Sequence, residues 1–180
     1  MTVFLAILAV LAIAFIVVYN KLIKLKNRAD EAWADILTLL KQRYDMIPNM
    51  VNVVKGYAKH EKDIFEKVAE LRTVAQGVKT PEDAKKADNM FESTLKSLFA
   101  VAENYPELKA NENFLHLQNT LKDLEDTIQK ARRYYNAVVR DYNNALMVFP
   151  NNLIAGILGF KKRDYYEVPE EETENVKVEF

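Results

Sequence analysis

The chain has 180 residues, no cysteine, and 25 basic against 26 acidic residues, so its formal net charge at neutral pH is −1. This length suits one domain, or one domain with an anchor. The lack of cysteine excludes disulfides, thiolate metal sites and cysteine nucleophiles, and the balanced charge gives no electrostatic case for nucleic acid as a partner. Only four glycines and five prolines are available for turns, which favours a few long helices over many short strands.

The N-terminal stretch predicts a membrane anchor. Residues 3–18 are all apolar, and with Thr2 and Tyr19 the stretch is about 27 Å long as a helix, enough to cross a hydrocarbon core. A cleaved signal peptide is the alternative, but no basic residue precedes the apolar run and no small-residue cleavage pattern closes it. We therefore expect residues 1–20 to form an uncleaved transmembrane anchor that contacts the lipid bilayer through residues 3–18.

Basic residues directly after the anchor predict its orientation. Lys21, Lys24, Lys26 and Arg28 follow the apolar run, whereas only the terminal amine precedes it. Because positively charged flanks stay on the cytoplasmic side, we expect a single-pass protein of the cell membrane whose C-terminal domain is cytoplasmic.

Residues 21–160 are predicted to form an all-α, elongated antiparallel bundle of four helical segments. Apolar residues recur at spacings of three and four, as in coiled coils, and the first segment continues the anchor without a stop. Pro48 either kinks one long helix or separates two, and we favour a kink because no glycine or long polar run surrounds it. The apolar rhythm then resumes at Met50 and is expected to continue as a helix to Ala75.

The third and fourth segments have clear ends. Thr80 is predicted to cap a helix with Pro81 at its first position, and Pro106 stops that helix before Asn111 caps the next one. The last helix keeps its apolar rhythm from Phe114 to Phe149, about 36 residues or on the order of 54 Å.

Two C-terminal segments have a different composition. With a kink at Pro48 the last helix is expected to end far from the membrane; if Pro48 instead separates two helices, that helix returns toward the membrane and the mainly apolar segment 149–160 could form a patch at the interface. We favour the alternative that this segment folds back over the bundle end. Residues 161–180 are rich in glutamate and predict a flexible acidic tail. The tail ends in alternating apolar and charged residues and the carboxylate of Phe180, a pattern that could dock on a partner as an added strand or in a carboxylate-binding groove.

A search for chemical motifs predicts no catalytic, cofactor-binding or metal site. His60-Glu61 begins like a metalloprotease motif but lacks the second histidine one turn on. The only other histidine, His116, lies four residues after Glu112, which does not match the spacing of di-iron bundles. No glycine-rich phosphate loop or serine-nucleophile motif occurs.

A set of polar residues on or beside the apolar helix faces says more about the protein than these incomplete motifs do. Buried polar groups cost stability unless paired, and their best-attested use is to fix helix register and partner choice. We interpret the set in this structural way, with Arg43–Glu61 or Glu61–Arg132 as candidate ion pairs; a pocket for a small ligand around Arg43, Glu61 and Asn143 is the alternative. With Tyr135 among the core or rim tyrosines, the structural and interaction candidates are Arg43, Asp45, Pro48, Asn49, Glu61, Arg132, Tyr135, Asn136, Asn143 and Phe180.

Several separate stretches resemble the LemA family of bacterial membrane proteins, in order and at the usual distances. The resemblance implies an N-terminal transmembrane segment, an antiparallel helical bundle and no established enzymatic activity. Members of the family often occur with membrane proteases or other envelope-quality proteins, which makes an adaptor role reasonable. The matching stretches are residues 19–20, 25–27, 32–33, 43–51, 54–61, 105–111, 131–136, 142–143, 149–150 and 159–160.

The predicted function is therefore that of a non-enzymatic, membrane-anchored scaffold or adaptor that acts through helix–helix contacts. Its partners would be further copies of itself, as a homo-oligomer, or another membrane protein. A ligand-sensing helical bundle is the alternative, and an enzyme of unrecognised type is a third hypothesis.

Overall fold

The computed structural model describes residues 1–58 and 62–167, and within these ranges it contains helices and no strands. The prediction of an all-α fold is confirmed. Glu61 and Phe180, two of the candidate residues, lie outside the described ranges, as does most of the predicted tail. In chain order the helices are α1 (Thr2–Lys55), α2 (Lys62–Gln76), α3 (Pro81–Asn104), α4 (Pro106–Lys109), α5 (Glu112–Met147) and α6 (Asn151–Leu158).

The chain divides into two compact units. Unit 1 consists of Met1–Asp35 and Ala131–Tyr165, and unit 2 of Ile36–Lys130 and Tyr166–Phe180. Helices α1 and α5 contribute residues to both units. The predicted domain boundaries at residues 20 and 160 differ from this division and stay predictions.

In unit 1, the first part of α1 has the features of a membrane span. One 18-residue window of the helix is apolar enough to cross a bilayer, and only 6% of that window is buried. The large apolar side chains from Val3 to Val17 are exposed, whereas burial of α1 begins at Val18, which is 8% exposed. The structure thus differs from the expected lipid-facing range 3–18 at its last residue, because protein covers Val18.

The end of α5 packs beside this part of α1 in the opposite direction. Trp33 contacts Tyr135, with ring centroids 5.3 Å apart. Further along α5, Tyr142, Ala145 and Leu146 form a buried cluster with Val18 and Leu22 of α1. Position along α5 therefore rises as position along α1 falls, and α5 runs toward the apolar span.

Helix α6 packs on the same cluster. Ala155 is buried there, and Ile154 and Phe160 pack against it. Asn151 at the start of α6 donates from its side chain to the carbonyl of Ala145 at 3.0 Å, which ties the turn to α5. One side of the segment therefore packs on the helices of unit 1, while Leu153 and Ile157 stay exposed. Phe149, predicted as the last apolar residue of the long helix, lies outside α5 and is 79% exposed.

In unit 2, α1 includes Pro48 and continues to Lys55, so the proline does not separate two helices. The predicted single helix from Met50 to Ala75 is wrong, because α1 ends before Gly56 and α2 starts at Lys62. Around Gly56 the amides of Gly56 and Tyr57 bond to carbonyls three residues back, which is the tightened geometry of a helix end. Glycine has the lowest helix propensity apart from proline, and this favours an end here.

The ends of α3 and α5 match the expected caps. The amide of Asp83 donates to Thr80 Oγ1 at 3.1 Å, and the amide of Thr80 donates to Asp83 Oδ2 at 3.1 Å, which makes a reciprocal capping box. Before α5, the amide of Phe114 donates to Asn111 Oδ1 at 3.1 Å. The predicted caps at Thr80 and Asn111 are both present.

Candidate functional site

In unit 2, five residues form a largely buried polar network that we call the arginine cluster. It is formed by Arg43 and Tyr44 from α1, Asp88 from α3, Glu125 from α5 and Tyr166 from the C-terminal segment. Arg43 and Asp88 are each 2% exposed, and Tyr166 is fully buried.

Arg43 is held from several directions. Its guanidinium forms an ion pair with Asp88, and Nη1 donates to Glu125 Oε1 at 2.6 Å and Oε2 at 3.1 Å. The guanidinium carbon also lies 4.4 Å from the ring centroid of Phe91 and 5.1 Å from that of Tyr44, within the range of a cation–π contact. The charge is therefore matched by two carboxylates and two aromatic faces.

Asp88 is the acceptor shared by the cluster. Besides Arg43, the hydroxyl of Tyr44 donates to Asp88 Oδ1 at 3.2 Å and the hydroxyl of Tyr166 donates to Oδ2. Burial lowers the pKa of Arg43, but Asp88 and Glu125 outweigh this effect and raise it overall. Burial, reinforced by Asp88, raises the pKa of Tyr44. A buried arginine paired with carboxylates from two other helices suits holding helices in register.

In unit 1 a second polar arrangement binds the segment after α6, residues 160–165, which we call the returning segment. The hydroxyl of Tyr142 donates to the carbonyl of Lys161 at 3.1 Å, and the hydroxyl of Tyr135 donates to the carbonyl of Asp164 at 3.0 Å. Successive residues of the segment thus meet earlier residues of α5, so it runs antiparallel to that helix.

Asn143 lies at the centre of this arrangement. Its Nδ2 donates to the carbonyl of Arg163 and its Oδ1 accepts from the amide of Arg163, both at 2.9 Å. The Arg163 side chain forms an ion pair with Asp30 of α1. Burial raises the pKa of Tyr135 and of Tyr142, against the opposing effect of Arg163. The returning segment is therefore held chiefly through its backbone.

The remaining predicted candidates occupy varied positions. Asp45 is exposed and pairs with Lys41 at 2.6 Å, and exposed Asn49 donates to the carbonyl of Asp45 at 3.5 Å. Arg132 is buried and Asn136 is half-buried in unit 1. Arg43 has Asp88 and Glu125 as partners, while the proposed pairs with Glu61 fall outside the described residues.

The ligand pocket predicted around Arg43, Glu61 and Asn143 stays a prediction, because Glu61 lies outside the described residues. Arg43 belongs to unit 2 and Asn143 to unit 1, and each is bonded to its own partners. A groove of about 590 Å³ does lie in unit 2, between α1 and α2. Its apolar lining includes Leu37, Leu40, Pro48, Val68 and Leu71.

The sequence reasoning missed Asp88, Glu125 and Tyr166. The helix spacing gives a signal for the first two. Asp88 lies four residues after Ala84 and three before Phe91. Glu125 has the same spacing from Leu121 and Ile128, so both carboxylates lie on apolar helix faces. The adjacent tyrosines 165 and 166, in an otherwise charged segment, were the signal for the third.

Comparisons with known proteins find one family and several relatives for this chain. The LemA family model matches residues 32–180. Magnetosome protein MamQ 2 of Paramagnetospirillum magneticum is 26% identical over 175 residues, covering 83% of this chain and 64% of that protein. Protein LemA of Metamycoplasma hominis is 25% identical over 153 residues, covering 83% of this chain and 66% of that protein. The chain thus spans slightly less than two thirds of the length of these curated relatives.

Proposed function

Because this chain belongs to the LemA family, we propose that it works as a membrane-anchored scaffold, which holds protein partners at the bilayer surface through its helices and does not catalyse a reaction. The exposed apolar start of α1 indicates a single-pass membrane protein. The partners are further copies of the chain or another membrane protein.

One observation carries the proposal: the span and the core of unit 1 share a single helix. The exposed apolar residues up to Val17 pass without a break into Val18, Leu22, Ala29 and Ala32, which are buried. A helix that continues across the interface sets the height of the attached surface above the bilayer, whereas a flexible linker would not. A fixed height suits a protein that positions others.

The buried polar groups support a structural role for the helices. In the arginine cluster the charge of Arg43 is matched by Asp88 and Glu125, and Asn143 is bonded to backbone groups of Arg163. A catalytic group needs access to a substrate and a pKa matched to proton transfer. Ion pairs of this kind between elements distant in sequence are instead suited to fixing helix register.

We further propose that the helices after the span lie in the cytoplasm, because Lys21, Lys24, Lys26 and Arg28 follow it directly. The natural absence of cysteine makes a test simple. A single cysteine at exposed Glu103 should react with a membrane-impermeant maleimide only after cells are permeabilised, and labelling of intact cells would reverse the assignment. A single cysteine at Thr2, on the other side of the span, is the matched control and should react in intact cells.

The scaffold proposal is tested by photo-crosslinking in cells. A crosslinkable residue at exposed positions of α2 and α3, such as Glu66, Arg72 or Glu103, should give discrete adducts whose masses identify either a second copy or a different membrane protein. The mass in lipid nanodiscs then separates the two possibilities, because self-assembly gives a defined oligomer. The absence of discrete adducts at every such position, in a folded protein, would argue against a scaffold.

The α1–α2 groove favours a second candidate function, the sensing of a small apolar ligand. Its volume falls within the range of about 300–1,000 Å³ that is common for ligand sites, and its lining is mainly apolar. A ligand for this groove should raise the melting temperature in a saturable way. Replacing Leu71 with Trp, which fills the groove, should remove that increase, and a ligand whose effect survives the substitution does not occupy it.

A further inference from the structure

We propose that α6 and the turn before it form a second membrane contact, an apolar surface that lies in the bilayer interface beside the exit of the span. The inference rests on the membrane anchoring of the proposed function and adds a lipid-binding surface to it. We call this surface the α6 face; it consists of Met147, Val148, Phe149, Leu153 and Ile157.

The α6 face is apolar and open. Phe149 is 79% exposed, Leu153 58% and Ile157 78%, and α6 itself contains no charged residue. Leu153 and Ile157 are four residues apart in one helix and so lie on the same side. A helix of this composition in water would usually bury such a face, and the opposite side of α6 is already used, through Ala155 and Ile154, to pack on α1 and α5.

The α6 face lies beside the end of the span, and this position favours the bilayer as the partner that covers it. Ala155 belongs to the cluster that covers Val18 and Leu22, so α6 packs against the last turn of the apolar span. Helix α5 runs toward the span, and Leu146 near its end belongs to the same cluster as Val18. The three residues that follow Leu146, Met147 to Phe149, are apolar and exposed, and they lie at the end of the helix that runs toward the span.

The charges around the α6 face also fit a lipid interface. Lys161 and Lys162 follow α6 and are exposed, and Lys21 and Lys24 follow the span and are exposed. Interfacial helices combine an apolar face sunk about 5–10 Å into the headgroup region with basic residues that contact anionic headgroups. The same arrangement is present here in a short helix attached to a transmembrane one.

Spin labels provide the test, because the cysteine-free chain accepts single labels without a change of background. Full-length protein labelled at Leu153 or Ile157 is placed in vesicles of phosphatidylcholine and phosphatidylglycerol in a three-to-one ratio. Val10 in the span serves as the lipid reference. Asn27, which is exposed and lies about 13 Å beyond Val18 along α1, serves as the aqueous reference.

The expected result is an oxygen-to-nickel-chelate accessibility ratio at Leu153 and Ile157 that lies close to the Val10 value and above that of Asn27. The ratio should fall in vesicles of phosphatidylcholine alone. Ratios equal to that of Asn27, with Val10 still in lipid, overturn the inference and leave the anchor intact. An aqueous Val10 overturns both the inference and the proposed anchoring. Spin–spin broadening at Ile157 would show that a second copy covers the face, which also overturns the inference.

Discussion

The side-chain amide of Asn143 bonds to both backbone polar groups of Arg163, in the way that one strand residue pairs with another. Two bonds of 2.9 Å from one residue hold the middle of the returning segment against α5. The segment has no regular structure of its own, so these bonds replace the ladder that a helix or strand would provide.

Replacing Asn143 with Ala should release the returning segment without unfolding the helices. Two partly buried backbone groups lose their partner, and the cost per group is at most the roughly 1–3 kcal/mol of a fully buried group left unsatisfied. Hydrogen exchange at the amide of Arg163 should therefore become faster by about tenfold or more. Asn144, the exposed neighbour on α5, is the matched control, and Asn144→Ala should leave the exchange of this amide unchanged. Equal exchange in both variants would contradict the assigned role.

Replacing Arg43 with Met should strongly destabilise unit 2. Asp88 would remain buried without its main cation, and breaking one side of a buried ion pair typically costs about 3–5 kcal/mol. Lys41→Met, two residues earlier in α1, removes an exposed ion pair with Asp45 and should cost less than about 1 kcal/mol. Urea unfolding of the full-length protein in nanodiscs, followed by circular dichroism, measures both. A similar midpoint for the two variants would show that the buried pair has no special importance.

Tyr166 should contribute through its hydroxyl as well as its ring. Tyr166→Phe keeps the buried ring but removes the bond to Asp88, which should lower the free energy of unfolding by about 1–3 kcal/mol. Tyr165→Phe, at a position that is 44% exposed, should change it by less than about 0.5 kcal/mol. Thermal unfolding compares the two variants. If they behave alike, the C-terminal contact with the arginine cluster contributes no net stability.

Stability should fall at alkaline pH. Burial raises the pKa values of Tyr44, Tyr135 and Tyr142 in the folded protein above the value near 10 of an unfolded chain. Below about pH 10 these phenols are neutral in both states; above it the unfolded chain loses protons first, so the free energy of unfolding decreases as pH rises.

The variant Tyr135→Phe tests this sign directly. It loses the bond to Asp164 and should be less stable at pH 7 by about 1 kcal/mol, but its stability should fall less steeply above about pH 10. Urea midpoints measured from pH 7 to pH 11 give both quantities. A slope that matches the unmodified protein would mean that Tyr135 does not contribute to the alkaline loss.

Much of the fold could be predicted because helix periodicity and caps are local properties. The exposed span, the capping box at Thr80 and the cap at Asn111 follow from residues within a few positions of one another. The end of α1 at Lys55 is hard to predict because the apolar rhythm continues past Gly56, and only the low helix propensity of that glycine indicates a break.

The polar sites were harder to predict because their partners are distant in sequence. Arg43 was recognised as a residue that needs a partner, but a carboxylate 45 residues away cannot be chosen from one sequence. Asn143 was likewise recognised, while its partners are backbone groups of a segment whose composition indicated a flexible tail. Backbone groups carry no sequence signal, so contacts of this kind are invisible to pattern reasoning.

The returning segment is recognised through its backbone, so the contact depends on the side chains of α5 more than on those of the segment. Tyr135, Tyr142 and Asn143 recognise carbonyls and an amide that every non-proline residue provides. These bonds therefore place no demand on the side chains of Lys161 and Lys162, whereas they do require the two hydroxyls and the side-chain amide of α5. The surface formed by these three α5 residues can in this way bind returning segments of many different sequences.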